Sequence, residues 1–588
     1  MAIPRKDHRV ILHFDYDCFY ASVFEAEQPA LKSLPLAVQQ KQIVVTCNYE
    51  ARRRGLRKLQ LVKEAKKICP ELVIVLGEDL TRFRDASKEL YAFIKSFVWS
   101  DRVERLGFDE IFLDVTDMVE YNIGLLNKNT LHDSFFHLDR HDPTVGFVYN
   151  ATQCHGPTWP SASTSASAPC TLTTALTSSS TSLHLRLLVA SHLAGYMRSQ
   201  LEHQKGYTAT VGVSTSKLLA KLVGSVHKPN NQTTLLPPYE PAEHGLGSTS
   251  NILRFMDGLE IRKVPGIGYK LAHKLRAYVG GAAASGPTTL SDTELGSDTA
   301  TAGDNSEEVT VKQIRLLPGM GPRLLNKILG GAGAPKDIGV RVWGLLHGVD
   351  DSDVLAGRDI PTQISIEDSY GKLTTLHEVK RELTTLTASL IRRMRTDLTE
   401  QNVDSGPRFR WRAHPKLLRL STRPRPPPEA DGPRTRIWNR ISRSAALPLY
   451  VFNIDESIDA LAEKLVQEHL LSMFRKLHPE KFGWNLSLLN IAVTNMVESA
   501  GEQRGSNGRD IGKMFRSQER VLSEWTVNES GNEPLANADT DLDNHPTGTP
   551  WEDGDDEEEI PGTICQTCGA LIPTFALVAH AQYHSAPD

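Results

Sequence analysis

Two pairs of carboxylates and one set of cysteines and histidines are the residues here whose types and spacing could do chemistry. Asp15-Tyr16-Asp17 closes an apolar run, and Asp109-Glu110 follows 94 residues after Asp15 at the junction of two β-rich runs. Carboxylates at strand ends lie near solvent, where they hold Mg²⁺ through hard oxygen ligands. Two metals bridged by such groups can activate a hydroxyl and stabilise a leaving pyrophosphate. Such pairs also cap helices or pair with bases, and spacing alone leaves both readings open. Near the C-terminus, Cys565-Gln-Thr-Cys568 and His580-Ala-Gln-Tyr-His584 have the form C-x2-C-x11-H-x3-H. Two thiolates on a turn and two imidazoles one helical turn apart make a tetrahedral Zn²⁺ site. A module this small folds only with such a staple.

Short buried or β-rich runs predict strands at 9–15, 35–40, 42–48, 72–76, 103–108 and 111–115. Helical spacing predicts helices at 19–27, 56–69, 80–97, 183–203 and 216–223, with a further strand at 208–213. This order reads as α+β. Later come a helix at 373–396, a strand at 408–422, a helix at 458–477 and a strand at 486–497. Ser/Thr/Ala/Pro-rich residues 154–182 and the stretch 280–306 read as disordered insertions. The second separates Pro265-Gly-Ile-Gly268 from Pro318-Gly-Met-Gly321, glycine turns that let backbone approach a phosphate ahead of a helix N-terminus.

The 588 residues suggest three or four domains. No apolar run reaches transmembrane length, the N-terminus lacks a secretory pattern, and seven cysteines do not make a disulfide framework. A reducing compartment is expected. The net charge of −5 argues against a nucleic-acid partner until it is mapped. Residues 529–588 hold 13 acids and no Lys or Arg, leaving 66 bases against 58 acids in the body. Residues 405–450 alone carry 11 bases and two acids, a patch suited to a phosphate backbone.

Val10-Ile-Leu-His-Phe-Asp-Tyr-Asp-Cys-Phe-Tyr-Ala-Ser-Val23 resembles the first motif of the Y-family translesion DNA polymerases. Leu106-Gly-Phe-Asp-Glu-Ile-Phe-Leu-Asp-Val-Thr116 resembles their second acidic motif, and residues 44–52, 77–82 and 212–223 also match in order. Gln39-Gln-Lys41, Thr46-Cys-Asn-Tyr49 and Leu106-Gly-Phe108 are similar to the iota branch. The resemblance implies an α+β multidomain right-hand polymerase. The palm would be 1–18 and 80–238 with a disordered insertion at 143–182, and the fingers 19–79. A helix-hairpin-helix thumb would span 239–357, with its insertion at 280–306. A βαββαβ little finger at 358–499, a disordered acidic tail at 500–560 and a zinc module at 561–588 would follow.

By the same resemblance, Asp15, Asp109 and Glu110 are catalytic and hold two Mg²⁺ (or Mn²⁺) ions, with the Tyr16 carbonyl as a further ligand. Asp17 maps to no ligand and is expected to be structural. Tyr20 is the steric gate under the sugar. Phe19, Tyr49, Arg52 and Lys228 bind the incoming dNTP. Gln40, Lys41, Ile43 and Thr46 shape the template pocket, which implies strongly template-dependent fidelity. Gly266 and Gly268 bind DNA. The zinc module is similar to the ubiquitin-binding finger of the eta branch, except that Gln582 replaces an Asp. Ile511, Met514 and Phe515 resemble the plug of a sliding-clamp peptide. The expected partners are primer-template DNA, dNTP, the clamp and ubiquitin, in the nucleus, with no membrane. The class rival is a non-catalytic DNA- and ubiquitin-binding adaptor at stalled forks.

Overall fold

Alternation along strand β1 (Ile11–Tyr16) decides how the first sheet is built. Leu12, Phe14 and Tyr16 enter the core, while Ile11, His13 and Asp15 take the opposite face. The computed structural model describes residues 4–161, 179–240, 250–284, 308–401 except 332, 409–425, 440–480, 484–498, 562–564 and 571–573. Contacts divide the chain into two units, 1–529 and 530–588.

Helix α1 (Phe19–Glu27) leads from β1 into a small sheet of β2 (Leu36–Gln40), β3 (Ile43–Cys47) and, after α2 (Tyr49–Arg53) and α3 (Val62–Ile68), β4 (Val73–Leu76). Its order is β3-β2-β4, over a core of Ala37, Val44, Cys47, Ala51 and Leu56. The chain returns through α4 (Thr81–Lys95), β5 (Val103–Leu106), β6 (Glu110–Asp114) and α5 (Thr116–Gly124). A hairpin of β7 (Ser134–His137) and β8 (Gly146–Tyr149) follows, then β9 (Thr158–Trp159), α6 (Ser179–Lys205), β10 (Ala209–Ser214), α7 (Lys217–Gly224) and β11 (Gln232–Leu235). The main sheet has the order β5-β6-β1-β10-β11-β9, with β1 antiparallel to both β6 and β10.

Helix α7 lies unusually close to this sheet. A Cβ at Gly212 of β10 would sit 1.9 Å from the Ala220 carbonyl, and a Cβ at Gly224 would sit 2.9 Å from the Gly212 nitrogen. Glycine is what lets the helix backbone rest on the strand. Ala220 then packs with Ile11, Phe112 and Val354 on the face that carries His13 and Asp15.

Among the described residues the α-helices that follow are α8 (Asn251–Asp257), α9 (Tyr269–Ala284), α10 (Val311–Arg315), α11 (Pro322–Leu329) and α12 (Ile338–Leu346). The connection after α12 is strapped to the first sheet. Buried Arg9 donates to the carbonyls of Asp350 and Ser352 and to Asp353, and Val354 is buried in the α7 cluster. A second α+β body has β12 (Gln363–Ser369), α13 (Leu376–Leu398), the pair β13 (Thr399–Gln401) and β14 (Phe409–Trp411), β15 (Ala413–Pro424), β16 (Ile441–Ala446), α14 (Ile458–Leu465), α15 (Leu471–Leu477) and β17 (Leu486–Glu498). Its sheet runs β12-β17-β15-β16, all antiparallel, and its core is separate. In the C-terminal unit, β18 (Gly562–Ile564) pairs with β19 (Leu571–Pro573).

Four expectations change. Of the insertion expected at 143–182, residues 143–161 and 179–182 are among those described, and they contain β8, β9 and the start of α6. Phe147 of β8 stacks on Tyr196 at 4.3 Å, and Trp159 of β9 meets Phe255 at 5.1 Å, so aromatic anchors outweigh the Ser/Thr composition. The stretch expected to be structureless from 280 is helical to Ala284. The helix expected over 458–477 is interrupted by a π-turn at Val466–Leu470. Only Val62–Ile68 of the helix expected over 56–69 forms, because 59–62 bond to β3 instead: Val44 N donates to the Gln60 carbonyl, and Leu59 and Val62 donate to the carbonyls of Val44 and Gln42.

Replacing Gly212 by Ala forces α7 off the sheet. Denaturant unfolding is expected to show a loss of about 1–3 kcal/mol. An unchanged midpoint would mean that the contact tolerates a methyl group.

Candidate active site

Register brings the carboxylates together. Asp15 pairs directly with Glu110 across the antiparallel β1–β6 ladder, so both side chains leave the same face. Asp109 is the last residue of the three-residue β5–β6 turn, entered through Gly107 at φ 68°. Two bonds fix that turn: Tyr16 N donates to the Asp109 carbonyl at 2.9 Å, and the Ser87 hydroxyl donates to the Phe108 carbonyl at 2.6 Å. Tyr16 is the final residue of β1, so its backbone lies at the same sheet end.

Like charges this close repel, and the site shows both the strain and its relief. Burial raises the Asp109 carboxyl, and Asp15 and Glu110 push it further, to about 6. Burial also acts against the Glu110 charge, but His13 and Lys221 hold that carboxyl down at about 2. Lys221 Nζ is 2.6 Å from Glu110 Oε2, and His13 Nε2 is 3.9 Å away. Lys228 is ion-paired with Asp15. Carboxylate oxygens are hard donors of the kind Mg²⁺ takes, but among the described residues no three such side chains close around a point as a metal site would.

Lys217 and Lys221, one turn apart on α7, meet Glu104 of β5 and Glu110 of β6 on one sheet face. The Lys217–Glu104 pair, at 3.0 Å, is buried, and Lys217 has a structural role. Asp17 is buried too. It accepts from the Thr210 hydroxyl and from Asn230 N, both at 2.8 Å, and so fixes the turn that carries Lys228.

The neighbouring side chains are set by packing. The Tyr20 ring stacks on Phe83 at 4.1 Å, and burial, then Asp109, raises its hydroxyl. The Phe19 ring is buried, so only its backbone at the start of α1 can face a ligand. The Arg52 guanidinium lies 4.5 Å from the centre of the Tyr49 ring, and its Nε donates to the Cys47 carbonyl at 3.1 Å. Asn48 orders this corner: its side chain accepts from Ala51 N to cap α2 and from Leu36 N, and donates to Glu25 and the Leu34 carbonyl.

Val38 pairs with Thr46 and Gln39 with Val44, so Val45 is an extra residue in β3. This bulge keeps Gln40, Ile43 and Thr46 on one face, where a regular strand would separate Ile43 from Thr46. Lys41, at the hairpin tip with φ 52°, turns away from them to Asp368 at 2.6 Å and to the Ser369 carbonyl. Gly266 and Gly319 both have positive φ, and each glycine turn leads into a helix. A Cβ at Gly268 or Gly321 would meet nothing within 4 Å, which leaves those backbones open.

His13, Lys221 and Asn48 were not marked by the sequence as site residues. A signal existed for Lys221, since Lys217 and Lys221 share one face of an otherwise apolar helix. Cys565, Cys568, His580, His584, Ile511, Met514 and Phe515 lie outside the described residues.

In the metal-free protein, Asp109→Asn removes the central repulsion. Because the folded-state pKa is raised, the wild type is relieved as pH falls below about 6 and penalised above it. The variant is expected to be more stable at pH 7 by on the order of 2 kcal/mol, a gain that shrinks near pH 5. Mg²⁺ is expected to raise the Tm of the wild type and not of the variant. Melting curves at both pH values, with and without Mg²⁺, check both.

Residues 14–225 match the impB/mucB/samB family, and residues 361–506 match the impB/mucB/samB family C-terminal domain. The chain is 33% identical to DNA polymerase iota of Homo sapiens over 493 residues, 84% of this chain and 53% of that protein. It is 32% identical to DNA polymerase iota of Mus musculus over 502 residues, 84% of this chain and 55% of that one. With DNA polymerase IV of Pasteurella multocida the identity is 24% over 395 residues, 66% of this chain and 78% of that protein. The chain spans about half the length of its human and mouse relatives.

Proposed function

Because the chain belongs to the impB/mucB/samB family, the Y-family of DNA polymerases, we propose that it extends a primer 3′-hydroxyl on a template strand, opposite damaged bases. The observation that carries this reading is the meeting of Asp15, Asp109 and Glu110 at one sheet end beside Lys228. Two Mg²⁺ ions held by these carboxylates and the Tyr16 carbonyl would activate the primer hydroxyl and neutralise the leaving pyrophosphate. Lys221 holds the far oxygen of Glu110 and keeps it ionised. Lys228 exchanges Asp15 for the triphosphate, where Arg52, Tyr49 and the backbone at Phe19 supply further positive charge and donors. Tyr20, fixed on Phe83, lies under the sugar and excludes a 2′-hydroxyl. Gln40, Ile43 and Thr46 line the templating base, which supports error-prone, template-dependent insertion. The two glycine turns, Gly266 and Gly268 first, grip duplex phosphates, and the second α+β body serves as the little finger.

Primer extension with the wild type and Asp109→Ala tests this. The wild type is expected to extend with unequal efficiency opposite the four template bases. The variant is expected to lose about 10³-fold or more, the scale of losing central electrostatic stabilisation. No extension from either protein would sink the reading and leave the adaptor.

The tail extends the proposal to regulation in the nucleus. Cys565, Cys568, His580 and His584 would hold Zn²⁺ in a finger that binds ubiquitin, since the tail's negative charge opposes DNA. Ile511, Met514 and Phe515 would plug into a sliding clamp. Labelled ubiquitin titrated into the zinc-loaded full chain is expected to saturate, and Cys565→Ser to abolish the signal. No binding by about 1 mM would end that part.

A further inference from the structure

We infer that the outer surface of residues 57–67 binds the single-stranded template ahead of the primer terminus. This rests on the polymerase reading and adds a nucleic-acid surface outside the metal site and the glycine turns.

Three observations carry it. First, Arg57, Lys58, Lys63, Lys66 and Lys67 are all exposed, and none has a salt-bridge partner among the described residues. The one acid in the stretch is Glu64. Nearby Arg53 and Arg54 are by contrast already paired with Glu50 and Glu71. Second, this cation row is continuous with the proposed template pocket. Residues 59–62 run beside β3, with Ile43 bridged to Leu61 and Val44 bonded to Leu59 and Gln60. A template strand leaving the Gln40–Ile43 hairpin therefore meets these lysines next. Third, the same segment presents apolar side chains to solvent. Leu59 is 67% exposed with φ 67°, a conformation a branched side chain rarely adopts, and Leu61 is 45% exposed. Backbone strain that exposes a hydrophobe suggests a function at the site.

Cations flanking exposed apolar side chains suit a single strand: phosphates meet the lysines, and an unstacked base covers Leu59. An acidic protein segment would satisfy the charge but would have no reason to adjoin the template pocket.

The full chain is titrated with two primer-template duplexes, one with a template overhang of about ten nucleotides and one of about one. The wild type is expected to bind the long overhang about tenfold or more tightly at low salt. Lys63→Ala/Lys66→Ala/Lys67→Ala is expected to lose most of that preference, and its salt slope to fall by about two. It is expected to bind the short substrate as the wild type does and to keep the wild-type Tm. Leu59→Ala is expected to weaken long-overhang binding several-fold without changing the salt slope. A wild type indifferent to overhang length, or a triple variant that keeps the preference, overturns the inference. The same holds if an acidic peptide binds the lysines while the overhang does not. Extension on the short-overhang template reads the polymerase activity separately, so the two ideas fail independently.

Discussion

Two carboxylates placed directly opposite each other on adjacent strands repel, and most of the first domain is arranged around that fact. Asp15 and Glu110 share one ladder position, and Asp109 is held beside them by the Tyr16 amide. A sheet does not tolerate like charges there without compensation. Lys228 meets Asp15, while Lys221 and His13 attend Glu110. Among the described residues Asp109 has no ion-pair partner, and burial together with Asp15 and Glu110 pushes its carboxyl upward while Glu110 is pulled down. The site thus keeps one carboxyl raised by burial and its neighbours, flanked by two that are paired with bases.

Those lysines can serve only if α7 and the Lys228 turn are fixed. Close backbone contact at Gly212 and Gly224 sets the height of α7, and the buried Lys217–Glu104 pair fixes its rotation one turn before Lys221. Asp350 of the strap accepts from Leu218 N at the start of the same helix, and Glu104 also accepts from Leu355 N. Asp17 does the equivalent work for Lys228 through Asn230. Buried polar groups of this kind are costly when broken, so the electrostatics of the site are tied to the packing of the sheet behind it.

Much of this was legible in the sequence. The apolar runs at 9–15 and 208–213, and helical spacing at 80–97 and 216–223, fell within a few residues of the observed elements, because apolar content decides such buried segments. The carboxylates stood out through their motifs. What was not legible depends on register and on backbone detail. The contact of Lys221 with Glu110 needs the strand pairing and the helix height together. The Val45 bulge, which gathers Gln40, Ile43 and Thr46, leaves no trace in a run that reads as an ordinary strand. Residues 59–61 fall in a run with helical spacing, but they pair with β3 instead. Residues 143–161 were hidden by composition, since Phe147 and Trp159 are few among many small polar residues.

The two α+β bodies of the larger unit are joined unequally. At the strap, Arg9 and Val354 are buried, and loss of either leaves buried groups unpaired or a cavity. At the hairpin tip the link is Lys41 with Asp368, where both side chains are about half exposed. Such a pair is worth about 0–1 kcal/mol and weakens with salt. The Lys88–Asp397 contact is stronger on one side only, since Asp397 is buried and also takes Arg393. Of these contacts Lys41–Asp368 is the most exposed and lies beside the Gln40–Ile43 face, whereas the strap that ties the connection after α12 to the first sheet is buried. The contact between the bodies that yields most readily is therefore the exposed one, and it adjoins the Gln40–Ile43 face rather than the carboxylates.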